Sequence, residues 1–347
     1  MPSIATTSIQ APYTHALLNG SNTVTDMKER GFLPISKQYA CRQLAKDPAP
    51  HQHALHRRLP DAPKAAFLAG DLLTVRHEGQ QIQGVGRQHD SSRKALSWGH
   101  TFTSSALVRP GEDPFLLRCD PFLTAGMSTK LYPHLSPSEA LLNVVGDVIT
   151  TGYEPAGVLA DAQFCSRLSM RSLKAMRVPF VMRFRKSSKV MFEAQLIKAQ
   201  DLAERFRPGQ ARWYPKLRRY VKRLKVVIPE VGMVDLLIVW KPQGFGWYLS
   251  VLVSTLLGGV QDVMRAWNSR WSLEVSHRFR KQSLGLGSCR CLSFSAHLMH
   301  ADLVVEAFNL VRSERCSQPG LTWKAARGLA AERLGKHVLT DSSRIAA

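Results

Sequence analysis

Apolar and polar positions change texture near residue 65. Residues 1–60 are polar and interrupted by Pro34, Pro48, Pro50 and Pro60; their one helical candidate lies around residues 36–46, with Ser36 able to cap it. Strand signals take over with an apolar run at 65–69, then alternating stretches at 81–87 and 95–108 around the polar segment 88–94. Three consecutive strands with a hairpin are expected there. Ser136-Pro137-Ser138-Glu139 reads as an N-cap with proline at the first helical position, opening a helix through Leu141, Leu142, Val145 and Val148. A short buried strand follows at 157–160 and ends at Asp161, then a helix at 166–176 and a strand at 178–184. This strand-helix-strand unit makes the fold class mixed α/β.

Residues 188–250 carry a basic, aromatic-rich segment followed by strand-like runs at 226–228 and 233–240, which reads as an insertion between two parts of one core. Pro242, Gly244 and Gly246 turn the chain into another strand at 248–255, after which one long helix is expected over 260–283. The last 35 residues are a basic, weakly patterned tail.

Composition narrows the class of partner. With 44% hydrophobic residues, the 347-residue chain can bury a sizeable core. Lys and Arg total 47 against 26 Asp and Glu, a formal charge of +21, which self-repels unless a polyanion is the working partner. Nucleic acid is the first partner to test, the alternative being a merely basic protein. Six cysteines include no C-x-x-C pair, and no paired histidine spacing frames a zinc site; Cys289 and Cys291 form only a C-x-C. Reduced thiols in a cytoplasm are the simplest account. The first 20 residues lack a basic stretch followed by an apolar one, and the apolar run 247–260 is shorter than the roughly 20 residues a membrane helix needs. A cytoplasmic protein without a membrane span is expected.

Three acids stand out. At 100° per residue, Trp267, Arg270, Trp271, Arg278 and Lys281 fall within about 60° of Glu274, so a lone carboxylate shares a helix face with tryptophans and cations. Such an acid needs a partner, either an ion pair with Arg270 or Arg278, or a metal. Asp161 ends a buried strand, at the edge where α/β sheets generally place ligands, and Asp71 follows an apolar strand. Each alone is commonly a turn residue. Together, in a basic chain, they suggest carboxylates gathering Mg²⁺ for phosphodiester chemistry.

Here the chain resembles a known family. From Trp267 through Arg270 and Glu274 to Lys281 it resembles the Y-(2)-R-(3)-E-(6)-K signature of bacterial insertion-sequence transposases of the Asp-Asp-Glu type, with Trp267 in the usual tyrosine position. Val158-Leu159-Ala160-Asp161, with the strand Val178 to Arg183, resembles the block holding the second aspartate. Gly79, Ile82, Gly84, Val85, Gly86 and Asp90, with Trp98-Gly99-His100, resemble the hairpin after the first. The likeness spans roughly residues 65–300.

The resemblance implies a ribonuclease-H-like mixed sheet flanked by helices, with a β-rich insertion before the helix carrying the catalytic Glu. The division it suggests is an N-terminal segment 1–62, core 63–187, insertion 188–250, remaining core 251–312 and tail 313–347. Asp71, Asp161 and Glu274 would hold two Mg²⁺ ions, for which Mn²⁺ can substitute, and the substrate would be double-stranded DNA, both element ends and target, paired by a homodimer. Arg270 and Lys281 would hold phosphates. The family usually has two adjacent aspartates at the first position, the second being the ligand, and an ungapped register puts Asp71 on the first and Leu72 on the second. Adjacent strand residues face opposite ways, so Asp71 could serve only after a slip or bulge. A remnant that binds DNA without cutting it is therefore the alternative, beside a structural nucleic-acid-binding protein of other ancestry.

A second DNA contact is expected from the run 205–225, which has nine Lys or Arg and no acid, interleaved with Phe206, Trp213, Tyr214 and Tyr220. Arg218, Arg219, Lys222 and Arg223 are its candidates for backbone phosphates; a solvated basic surface is the simpler reading.

Overall fold

The computed structural model describes residues 9–33, 35–47, 49–78, 81–90 and 95–345. Pro34, Pro48, Gly79 and residues 91–94 of the polar link lie outside the described residues. The described residues open with four helices: α1 (Gln10–Leu18), α2 (Val24–Glu29), α3 (Lys37–Leu44) and α4 (Pro50–Arg58). Ser36 caps α3, its side chain accepting from the Tyr39 amide. Next come β1 (Phe67–Arg76), β2 (Gly86–Asp90), β3 (Ala95–Val108) and β4 (Phe115–Phe122). The strand expected at 81–87 lies instead at 86–90, the residues 81–84 forming a turn, and β4 goes beyond the three strands expected here; its first five residues are all buried, so it shows no alternation to read.

Helix α5 (Pro137–Thr150) starts with a reciprocal Ser136–Glu139 capping box, as its sequence foretells. It is followed by β5 (Gly157–Ala160), α6 (Arg167–Ala175) and β6 (Phe180–Arg183). The basic segment folds as β7 (Lys189–Phe192), β8 (Gln195–Lys198), α7 (Ala199–Glu204), β9 (Arg212–Tyr214) and β10 (Arg219–Ile228), continuing into β11 (Gly232–Gln243) and β12 (Gly246–Ser254). The chain closes with α8 (Val260–Ser269), α9 (Trp271–Ser283), α10 (Phe294–Ser317) and α11 (Trp323–Ile345).

Among the described residues one sheet of twelve strands runs β2-β3-β1-β5-β6-β12-β11-β10-β7-β8, with β4 paired to β3 and β9 to β10. Strands β4, β3 and β1 are antiparallel neighbours, while β1, β5 and β6 are parallel. This order and these directions are consistent with a ribonuclease-H-like core. The strands of the basic segment continue the same sheet, because β12 pairs antiparallel with β6. Seven successive residues of β11, 234–240, are buried, so that strand needs cover on both faces and sits well inside the sheet.

Two apolar layers sandwich the sheet. On one face Ala69, Leu159, Val181 and Val239 pack under Val263 and Met264 of α8 and Leu273 of α9, with α1, α10 and α11 beyond. On the other, Leu68, Val158, Phe180 and Ile238 pack against Leu141 and Val145 of α5, Leu173 of α6 and Leu202 of α7. The single long helix expected over 260–283 is instead two. At Arg270 the bonding tightens: its amide reaches Trp267 O, and the Leu273 amide reaches Arg270 O, each three residues back.

The segment before β1 and the tail, which had little pattern, are helical and packed together. Tyr13 and Leu17 of α1 share a core with Val304 and Phe308 of α10 and Ala330 of α11. Arg58 of α4 is buried and pairs with Asp302 at 2.8 Å and Glu306 at 2.9 Å on α10. It also donates to the Leu117 carbonyl of β4, locking the N-terminal helices to the sheet through α10.

Candidate active site

Strand parity positions the acids. Side chains alternate between faces, so Asp71 shares the face of Ala69 and Leu73, and Asp161, just past β5, continues the face of Leu159. Both point toward α8 and α9. In the parallel pairing of β1 with β5, Gly70 lies opposite Ala160, which makes the next residues, Asp71 and Asp161, neighbours across the strands. Gly70 itself lets α5 approach closely from behind, since a Cβ there would meet Leu141 Cδ1 at 2.8 Å.

Leu72 faces the other way. It packs with the layer of α5 and α6, and β1 pairs with β3 in unbroken register from Phe67 to Arg76. Asp71 therefore reaches the α9 side with no slip or bulge in β1, contrary to the ungapped register that put Leu72 in the ligand position. Parity follows from which strand β1 pairs with and which helix covers it, and a linear alignment contains neither.

Glu274, in the first turn of α9, completes the group. Arg270 bridges two of the acids, with Nη2 at 2.7 Å from Glu274 Oε1 and Nη1 at 4.0 Å from Asp71 Oδ2. The ion pair expected between Glu274 and Arg270 is thus present. Burial pushes the Asp71 carboxyl up to about 6; Arg270 pulls it down, and the nearby charges of Glu274 and Asp161 push it up again. Arg183 of β6 lies 3.8 Å from Asp161, whose buried Oδ1 has no hydrogen-bond partner.

A basic cleft adjoins the acids. Arg183, Arg219, Lys241, Tyr248, Trp267 and Arg270 line a cavity of about 430 Å³ on this face of the sheet. The Arg183 guanidinium donates to the Tyr248 hydroxyl, Arg219 donates to Asn268 at 3.3 Å, and Arg270 lies over the Trp267 ring at 5.1 Å. Tethered guanidiniums facing a cleft suit a polyanionic backbone.

Residues 137–310, half of the chain, match the family described as Transposase DDE domain. The chain belongs to this DDE transposase family. The matched span contains Asp161 and Glu274, and Asp71 precedes it. Among curated proteins none matches the chain. For a DDE transposase domain the meeting of three acids from β1, the end of β5 and α9 is the feature of chemical interest.

The other expected DNA contacts of this DDE protein divide between the faces. Arg219 lines the cleft. Arg223 lies on the same face but is engaged, pairing with buried Asp235 and donating to Gly258 O at 2.6 Å. Lys222 points through the sheet to the opposite side, its Nζ 5.1 Å from the Phe206 ring. Arg218 precedes β10 in a left-handed conformation, φ 51°. Lys281 lies exposed near the end of α9, and Trp271, expected on the face of Glu274, is largely exposed.

Lys241 and His277 carry no motif in the sequence, and Arg183 ends the strand of the second-aspartate block without being singled out there. The His277 ring lies against Asp71, Nδ1 to Oδ2 being 3.8 Å, and burial, with help from Arg280, Lys281 and Arg270, holds it well below its ordinary range. The one sequence signal for it is the three-residue step from Glu274, which puts both on one helix face.

Proposed function

We propose that this DDE transposase cuts and joins DNA at the ends of an insertion sequence, with Asp71, Asp161 and Glu274 holding its metal ions. The observation that carries this reading is the convergence of three acids from separate elements beside a cleft lined by cations. The signature formed by Trp267, Arg270, Glu274 and Lys281 supports the insertion-sequence origin.

DDE transposases generally use divalent metal ions, and the acids fit such a group. Asp161 Oδ1 is buried and makes no hydrogen bond, having only the Arg183 guanidinium 3.8 Å away, and the like charges that push Asp71 up would be relieved by a cation between them. We infer two Mg²⁺ ions, replaceable by Mn²⁺. The chemistry such ions supply is stabilisation of the attacking and leaving oxygens of an in-line displacement, first by water and then by a DNA 3′-hydroxyl.

The chain's own residues bind and orient. Arg270, paired with Glu274 and also lining the cleft, can exchange the acid for a phosphate when the acids are neutralised. Lys281 lies about 10 Å beyond Glu274 along α9 and would hold a phosphate nearer the flank. His277 buttresses Asp71 from the helix side. The partner is double-stranded DNA, at element ends and target, with a homodimer pairing two ends in the bacterial cytoplasm, at the nucleoid. An active copy is favoured over a decayed one because Asp71 shares the face of Glu274.

Calorimetric titration with Mn²⁺ tests the acid set. Asp161→Asn and Glu274→Gln should each weaken Mn²⁺ binding by at least about tenfold, the loss that even an outer-shell change can cost. Unchanged affinity in both variants would refute the assignment.

A further inference from the structure

We propose a second metal site, of the zinc class, formed by His77, His100 and His297. His77 directly follows β1, His100 lies on β3 and His297 on the first turn of α10. One nitrogen from each ring can be chosen so that all three lie within 4.8 Å of one another, with His100 and His297 buried. The cluster is remote from the acids, since His77 is six residues beyond Asp71 on an extended strand, about 20 Å.

The hydrogen bonds turn these rings into ligands. His100 Nε2 lies 2.8 Å from the Gln83 carbonyl and His297 Nε2 lies 2.7 Å from the Cys291 carbonyl. A carbonyl only accepts, so both rings donate from Nε2 and keep their lone pairs on Nδ1. Outer-shell carbonyls fix the tautomer of metal-binding histidines in this way. His100 Nδ1 and His77 Nε2 are both buried with no partner. Ring nitrogens orphaned against apolar surroundings are costly and call for an occupant, and His77, with no carbonyl on Nε2, can turn that nitrogen's lone pair to it.

The ring packing agrees. Centroids of the three imidazoles are 4.5–4.8 Å apart, and Phe102 and Phe294 lie against His100. Two nitrogens on a tetrahedral zinc lie about 3.4 Å apart for bonds of about 2.05 Å, so small ring rotations suffice. Gly84, at φ +76°, brings the Gln83 loop against Phe294, where a Cβ would come within 2.5 Å of Cδ2. Burial, with repulsion from His297, pushes His77 down to about 4 and His100 to about 3, so both are neutral donors at neutral pH. An all-imidazole set selects a borderline metal such as Zn²⁺ over Mg²⁺. A water can take the fourth position. The ion would join the end of β1, β3 and α10, tying the sheet to the C-terminal helices.

The test uses the full chain with Asp71→Asn and Glu274→Gln, so that the acids do not compete for metal. After chelator treatment and re-equilibration with Zn²⁺, this protein should retain one zinc, and Co²⁺ should give the visible absorption of nitrogen ligation in a low-coordinate site. Adding His77→Phe, which keeps a ring in place, should weaken Zn²⁺ binding by at least about tenfold. Should that variant fold poorly, the thermal midpoint of the His77-containing protein decides: it should rise with Zn²⁺ and return with chelator. Absence of tight zinc, full affinity in a folded His77→Phe protein, or a midpoint indifferent to Zn²⁺ would overturn the proposal.

Discussion

Asp71 is held between burial and two like charges on one side and the Arg270 guanidinium on the other, with burial and repulsion prevailing. Its pKa near 6, against 3.8 for an ordinary aspartate, means that the folded protein holds this proton more tightly than the unfolded chain. Stability of the metal-free protein is thus undiminished by this group near pH 4 and falls as pH rises to 6, by up to about 3 kcal/mol. Asp71→Asn never ionises. In chelator it should match the native protein near pH 4 and exceed it at pH 7 by up to about 3 kcal/mol in denaturant unfolding. Equal stability at pH 7 would mean that Asp71 is not in this field. The sequence offered both Asp71 and Leu72; choosing between them required the pairing of Gly70 with Ala160 and the side on which α9 lies.

Elements were legible where capping or alternation was local. Ser36 and Ser136 marked their helices, and the short strand ending at Asp161 stood out as a buried run. Strand β4 was missed because burial on both sides erases alternation, and the break at Arg270 because 100° periodicity passes smoothly through one tightened turn. The basic run read as one surface, yet β10 alternates its cations between two faces, Arg219 toward the cleft and Lys222 toward Phe206. Arg219→Ala should therefore weaken duplex binding and flatten its salt dependence by about 0.9 log units for each phosphate it no longer neutralises, while Lys222→Ala changes the slope little. Equal effects, measured by fluorescence anisotropy across a salt series, would mean that DNA engages both faces.

At the scale of the molecule, the terminal helices and the histidine cluster were the least legible parts. A short helix such as α4, whose nine residues include three histidines and two arginines, carries weak apolar periodicity, and the interactions that order it are distant: Arg58 finds Asp302 and Glu306 more than 240 residues away. A buried arginine is tolerated because both acids and two carbonyls receive it. His77, His100 and His297 likewise meet only once β1, β3 and α10 have assembled, so no local spacing announces them. The family match rests on residues 137–310, whereas the completed acid group also needs β1, outside that span. No described helix is long and apolar enough to cross a membrane. The central claim, that Asp71, Asp161 and Glu274 together cut DNA, is tested most directly by Mg²⁺-dependent nicking of duplexes carrying the inverted repeats that flank the gene. The native protein should nick them; Asp71→Asn and Glu274→Gln should lose ~10²-fold or more, about 2.7 kcal/mol of barrier, and Leu72→Asp should bring no gain. Native-level nicking by Asp71→Asn, together with faster nicking by Leu72→Asp, would contradict it.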